Sequence, residues 1–152
     1  ENEMAVRLAY SGDMLVLPPN LYIVGTIHLA DIHYPIDSQF LQHFEMIPAY
    51  PRYDLLNATY TDFLRNLNKK IIAYKGIDYT FGHSYFMQSA DSLDFIRVLN
   101  RQIIPILSVY FQDMDFVREI LQEALDTAES TKNIFGVIEN ENLYLEVIRV
   151  SW

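Results

Sequence analysis

The sequence has 152 residues, no cysteine, 51% apolar residues, and 11 Lys+Arg against 20 Asp+Glu for a formal charge of −9. That length suits one domain, or one domain split into two lobes, and buries ~70% of the unfolded surface without covalent staples. Zero Cys excludes a disulfide framework, a thiolate zinc site and a Cys nucleophile, the acidic balance argues against nonspecific nucleic-acid binding, and no apolar run reaches the ~18–20 residues of a membrane span.

The first third reads as strands. Val6 to Tyr10 and Met14 to Leu17 flank Ser11-Gly12-Asp13, a turn whose glycine can take a positive φ, so a β-hairpin is expected. Pro18-Pro19-Asn20 stops the pairing, because neither proline can donate to a ladder. Leu21 to Gly25 is an apolar run without alternation, the pattern of a strand buried on both faces in a parallel sheet. Ile36 to His43 has room for about two helical turns, and Phe44 to Ile47 is a further short strand candidate closed by Pro48 and Pro51.

After Pro51 the apolar period becomes helical. Leu56, Tyr60, Phe63, Leu64, Leu67 and Ile71 form one stripe. Leu93, Ile96, Leu99, Ile103, Leu107 and Tyr110 form a second, with Pro105 expected to kink or restart the helix. Val117, Ile120, Leu121, Ala124 and Leu125 form a third, with Asp113 or Asp115 as N-cap. Ile134 to Ile138 and Leu143 to Val150 read as two strands joined at Glu139-Asn140-Glu141-Asn142. The fold class is therefore α+β: a short sheet with a hairpin on the N-terminal side, a helical bundle after Pro51, and a C-terminal β-hairpin.

The densest polar cluster is His28, Asp31 and His33, followed by Asp37 and His43, just past the end of the expected buried strand. Two imidazoles and a carboxylate are plausible metal ligands, and open α/β sheets place ligands at such strand ends. No specific zinc signature accompanies them, and nearby histidines are more often ordinary loop residues. Gly82-His83-Ser84-Tyr85 lacks the second glycine of a nucleophile elbow, and the 152 residues contain neither Gly-x-x-x-x-Gly-Lys-[Ser/Thr] nor Gly-x-Gly-x-x-Gly. Lys69, Lys70 and Lys75 fit solubility and the C-terminal helix dipole. Tyr79, Phe81, Tyr85 and Phe86 could stack bases, but more simply anchor the join between lobes.

Three stretches carry a family resemblance. Leu17-Pro18-Pro19-Asn20-Leu21-Tyr22-Ile23-Val24-Gly25-Thr26-Ile27-His28-Leu29-Ala30-Asp31 resembles the sensor-1 segment of the McrB family of AAA+ proteins, the NTP-driven subunits of 5-methylcytosine-dependent restriction systems. Gly76 to Met87, with Gly82-His83-Ser84-Tyr85-Phe86, is similar to that family's Gly-His-Ser-Tyr-Phe segment. The helix carrying Ile104-Pro105-Ile106-Leu107-Ser108-Val109-Tyr110-Phe111 resembles the family's Ile-x-Pro-Leu-Leu-x-Glu-Tyr-Phe. The resemblance implies that residues 1–50 are the C-terminal part of an AAA+ nucleotide-binding core, 51–128 a helical lid and 129–152 a C-terminal hairpin. Walker A and Walker B would then lie upstream of Glu1, in a longer protein, which agrees with the missing initiator Met. It further implies GTP or ATP with Mg in the full-length protein and none for this chain alone, a homo-oligomeric AAA+ ring, a nuclease subunit as partner, and a cytoplasmic location. His28 and Asp31 would be catalytic residues of the sensor-1 region, and Thr26, Gly82, His83 and Ser84 cofactor-binding residues of the sensor-2 and lid region.

The departures are informative. His28 stands where the family has the sensor-1 Asn, and an imidazole does not reproduce an amide's hydrogen-bonding geometry. Ile32 and His33 follow Asp31 where the family has Arg-Ser, and no Arg occurs between Arg7 and Arg52, the stretch in which the family carries its arginine finger. Gln42 and His43 do not replace a guanidinium that is worth ~10³–10⁵ in rate. A degenerate module acting in assembly or coupling is the first expectation. An active NTPase with a partner-supplied arginine is the second, and a metal site on His28, Asp31 and His33 the third.

Overall fold

The structure, a computed structural model, describes residues 4–27, 37–87 and 91–150. Its centre is a helical bundle. Helix α2 (Ala58–Tyr74) starts where the Asn57 side chain accepts the Thr59 N–H at 3.0 Å, and buries Tyr60, Phe63, Leu64, Leu67, Asn68 and Ile71 along one face. It ends at Gly76, whose φ of +102° only glycine adopts readily, and whose N–H turns back to the Ile71 and Ile72 carbonyls.

Asp91 caps the next helix by accepting the Leu93 and Asp94 N–H groups, both at 2.9 Å. This element runs as α3 (Ser92–Val98), a π-helical turn (Leu99–Ile103) and α4 (Ile104–Phe111). Pro105 explains the interruption: it brings no N–H, and its ring would press on the carbonyl one α-turn earlier. The chain widens instead, and Ile104 N–H donates to Leu99 O five residues back. The widening also corrects the apolar stripe. Phe95, Leu99, Ile103 and Leu107 are all fully buried, and a four-residue repeat drifts by about 40° per step in an α-helix. The expected stripe is corrected at its start, since Leu93 is 73% exposed and Phe95 takes the core position.

Helix α5 (Met114–Thr127) follows, with Asp113 as N-cap accepting the Phe116 N–H at 3.0 Å. Val117, Ile120, Leu121, Ala124 and Leu125 are buried, as their spacing predicts, and face α2 and α4. Around Phe95 the aromatic rings interlock, with Tyr60 stacked at 4.4 Å and Phe63 edge-on at 5.2 Å. Strands β3 (Phe135–Glu139) and β4 (Leu145–Arg149) form an antiparallel hairpin in which Val137 pairs with Val147. Phe135, Leu145 and Val147 enter the same core as the helices.

The N-terminal part departs from expectation. A hairpin forms, but β1 (Met4–Arg7) pairs with β2 (Met14–Leu17) while Leu8 to Asp13 make the loop, in which Gly12 has φ +74°. Leu21 to Gly25 is not a strand; the segment joins no sheet, and Val24 is 92% exposed. An apolar run becomes a buried strand only when neighbours supply hydrogen bonds and cover both faces. Among the described residues the sheets are two separate two-stranded hairpins, and neither includes it. Phe44 to Ile47 likewise forms no strand, and the helix expected over 36–43 is the single turn α1 (Ser38–Leu41), capped by Asp37. The class is α+β, a helical bundle with two small antiparallel hairpins.

Candidate functional site

The loop over residues 75–87 is fastened to the bundle by one buried amide. Asn68 interrupts the apolar face of α2 between Leu64 and Ile71 and is buried. Its Nδ2 donates to Phe81 O at 2.9 Å and to Tyr53 Oη at 3.0 Å, and its Oδ1 accepts the Phe81 N–H at 2.8 Å. A buried amide left without these partners would carry a large desolvation penalty, so the side chain dictates where both segments sit. Phe81 and Phe86 are themselves buried, and Tyr79 and Tyr85 pack against the core. These aromatics anchor the loop within the helical bundle rather than at a join between lobes.

The segment before α2 closes over the same loop. The backbone N–H of Arg52 donates to His83 Nδ1 at 3.1 Å, while the Arg52 guanidinium grips Asp54 through Nε at 2.8 Å and Nη2 at 2.6 Å. That two-pronged hydrogen bond holds the Asp54 carboxyl down at about 2 and raises the Arg52 guanidinium further. Arg65 lies over the Tyr53 ring at 5.2 Å. Arg52 is thus neutralised in place.

Of the residues singled out in the sequence, Gly82, His83 and Ser84 lie together at the start of a 3₁₀ turn over His83–Phe86. Gly82 has an ordinary extended φ of −73°, and a Cβ there would meet Ser84 Oγ at 3.7 Å, normal contact, so neither backbone nor space demands glycine. His83 is half-buried with one ring nitrogen committed to Arg52, and Ser84 is exposed. Thr26 is exposed on the irregular segment that follows β2. His28, Asp31 and His33 lie outside the described residues, and among the described residues no group of three or more His, Asp or Glu is arranged to hold a metal. Lys70 pairs with Glu123, and Lys75 sits over the rings of Tyr79 at 5.9 Å and Phe111 at 5.6 Å.

Asn68, Arg52 and Asp54 carry the geometry of this loop and were not singled out by motif. The signal for Asn68 was present: one amide at a core position of an otherwise apolar stripe. Arg52 and Asp54 carried none, because their partner His83 is 31 residues away from Arg52 in sequence.

Residues 59–118 match the family model of the McrB alpha-helical lid domain. The match covers α2, the Asn68-fastened loop with Gly82, His83 and Ser84, the π-helical turn and the first part of α5. It supports McrB-family membership and the reading of the bundle as a lid. No curated protein matches the chain. Among the described residues no helix is long and apolar enough to cross a membrane.

Proposed function

We propose that this chain supplies the lid of an McrB-like AAA+ subunit of a restriction or defence complex, with a degenerate sensor region, and that it acts in assembly or coupling rather than in hydrolysis. The lid match over residues 59–118 carries the reading. GTP or ATP with Mg would be bound by the subunit that contains this chain, and its partners would be like subunits in a ring and a nuclease subunit.

The chemistry of the lid loop supports a non-hydrolytic role. A phosphate-facing loop needs an uncommitted cation or a run of free backbone N–H groups. Here the Arg52 guanidinium is engaged by Asp54, and His83 Nδ1 is spent as an acceptor. Beside Gly82 and His83 the loop offers the neutral, exposed Ser84 hydroxyl, while its one cation, Lys75, sits at the far end over the rings of Tyr79 and Phe111. At Gly82, His83 and Ser84 that donor set supplies no cation for a triphosphate, which supports a non-hydrolytic role for this part of the loop. The substitution of His28 at the sensor-1 position and the lack of any Arg between Arg7 and Arg52 point the same way.

Assembly is the property to measure. The full-length subunit should change its oligomeric size in sedimentation velocity on adding GTP or ATP with Mg, and recruit its nuclease subunit, without consuming the nucleotide. A subunit that stays monomeric with either nucleotide, or that assembles only while hydrolysing it, would overturn the proposal.

A further inference from the structure

We propose that the groove between α4 and the β3–β4 turn is a docking site for a short apolar segment, flanked by Lys or Arg, on a partner protein. The groove has a volume of about 470 Å³ and is walled by Ile104, Pro105, Met114, Tyr144 and Leu145, with three neutral polar side chains and one charged one completing its lining. The one charged residue lining it is Glu146, and Glu141 stands in the adjoining turn.

Leu143, next in the chain to Tyr144, is the observation that asks for a partner. Among the described residues, Gln112, Asn133 and Leu143 are the non-glycine residues with left-handed backbone, at φ 54°, 58° and 63°. Gln112 terminates α4, and asparagine tolerates this region. A leucine there is strained. Its side chain is 76% exposed, so the strain is not repaid by packing within the chain, and Tyr144 beside it is 69% exposed.

The turn is nevertheless held firmly. Asn140 Oδ1 accepts the Asn142 N–H at 3.0 Å and the Tyr144 N–H at 3.1 Å, while Asn140 N–H donates to Tyr144 O at 2.9 Å. A rigid turn that presents two large apolar side chains to water beside a partly apolar groove is preorganised for an incoming surface. The backbone at the middle of β4 is already satisfied by Asn100, so side chains rather than strand addition make the contact there. Charge chooses the occupant: the lining charge is negative and the chain carries −9, so the segment that fits brings basic residues. The inference rests on this geometry alone and does not depend on the proposed function.

The probe is a labelled hexapeptide of four leucines flanked by a lysine at each end, titrated with the full chain by fluorescence anisotropy beside its glutamate-flanked counterpart. The lysine peptide should bind at least tenfold more tightly. Leu143→Gly, which relieves the backbone and cannot fail through strain, should raise the melting midpoint and weaken that binding by tenfold or more. Tyr144→Ser should weaken it similarly, and Glu146→Lys should invert the preference between the peptides. Equal binding of both peptides, or full affinity in Leu143→Gly, would overturn the proposal. Loss of binding in Glu119→Gln/Asp126→Asn with Leu143→Gly unaffected would overturn it by placing the peptide on α5. Self-association of the wild-type chain that Leu143→Gly abolishes would also overturn it, by making a second copy the occupant.

Discussion

The side-chain amide of Asn100 lies against Val147 as a neighbouring strand would, Nδ2 donating to the Val147 carbonyl at 3.0 Å and Oδ1 accepting the Val147 N–H at 2.7 Å. Val137, the residue paired with Val147, has its own N–H accepted by Gln122 Oε1 at 2.8 Å. The C-terminal hairpin is therefore clasped on both outer edges, once from the π-helical turn and once from α5. The π-turn matters to this contact, because it widens the helix at the residue that must reach across.

Replacing Asn100 with Ala leaves the N–H and C=O of Val147 without their partners in a site with little access to water. The expected loss is about 2 kcal/mol, read as a lower urea midpoint. Asn100→Asp keeps an acceptor for the Val147 N–H but loses the donor, so it should fall between wild type and Ala. In hydrogen exchange, the Val147 amide should lose protection in Asn100→Ala while the α2 amides keep theirs.

Asn68→Ala removes the three hydrogen bonds that hold Phe81 and Tyr53. The buried Phe81 backbone groups are then orphaned, and a destabilisation of about 3 kcal/mol is expected by chemical denaturation. Asn68→Leu should not recover it, although leucine suits the stripe, because the loss lies in unpaired polar groups rather than in volume. Recovery by leucine would show that the loop does not depend on the amide.

Asp54 gives a pH signature. Its carboxyl titrates at 3.8 when free and at about 2 in the folded chain, held down by its hydrogen bonds from Arg52. A depressed folded value stabilises the fold above the free value and loses that contribution as the pH falls through the folded one. Wild type should therefore melt above Asp54→Asn near about pH 5, with the gap closing toward about pH 2. The pair is at the surface, so the gap should be small and should shrink in high salt. A gap that stays constant with pH would remove this ion pair from the account.

Sequence reading served best where neighbours in sequence are also neighbours in space. The stripes of α2 and α5, the cap at Asp113, and the two strands of the tail follow from local periodicity and local hydrogen bonds. Pro105 announced an interruption, but not that the helix would widen into a π-turn and thereby substitute Phe95 for Leu93 in the core. Leu21 to Gly25 misled because an apolar run specifies a buried strand only together with flanking strands, which local pattern does not supply. Gly82, His83 and Ser84 were legible as a motif. The residues that set their geometry, Asn68 and the Arg52–Asp54 pair, become visible only when the chain folds them against that loop.

Under the proposed function, the subunit that contains this chain does not hydrolyse nucleotide through its sensor region. Its most direct test is steady-state release of phosphate from GTP and ATP, with Mg and the nuclease subunit present, by the full-length wild type, His28→Asn and Asp31→Ala. Turnover near background is expected in wild type, with no further loss in Asp31→Ala and any gain confined to His28→Asn. Brisk wild-type turnover that falls sharply in Asp31→Ala or His28→Asn would contradict it.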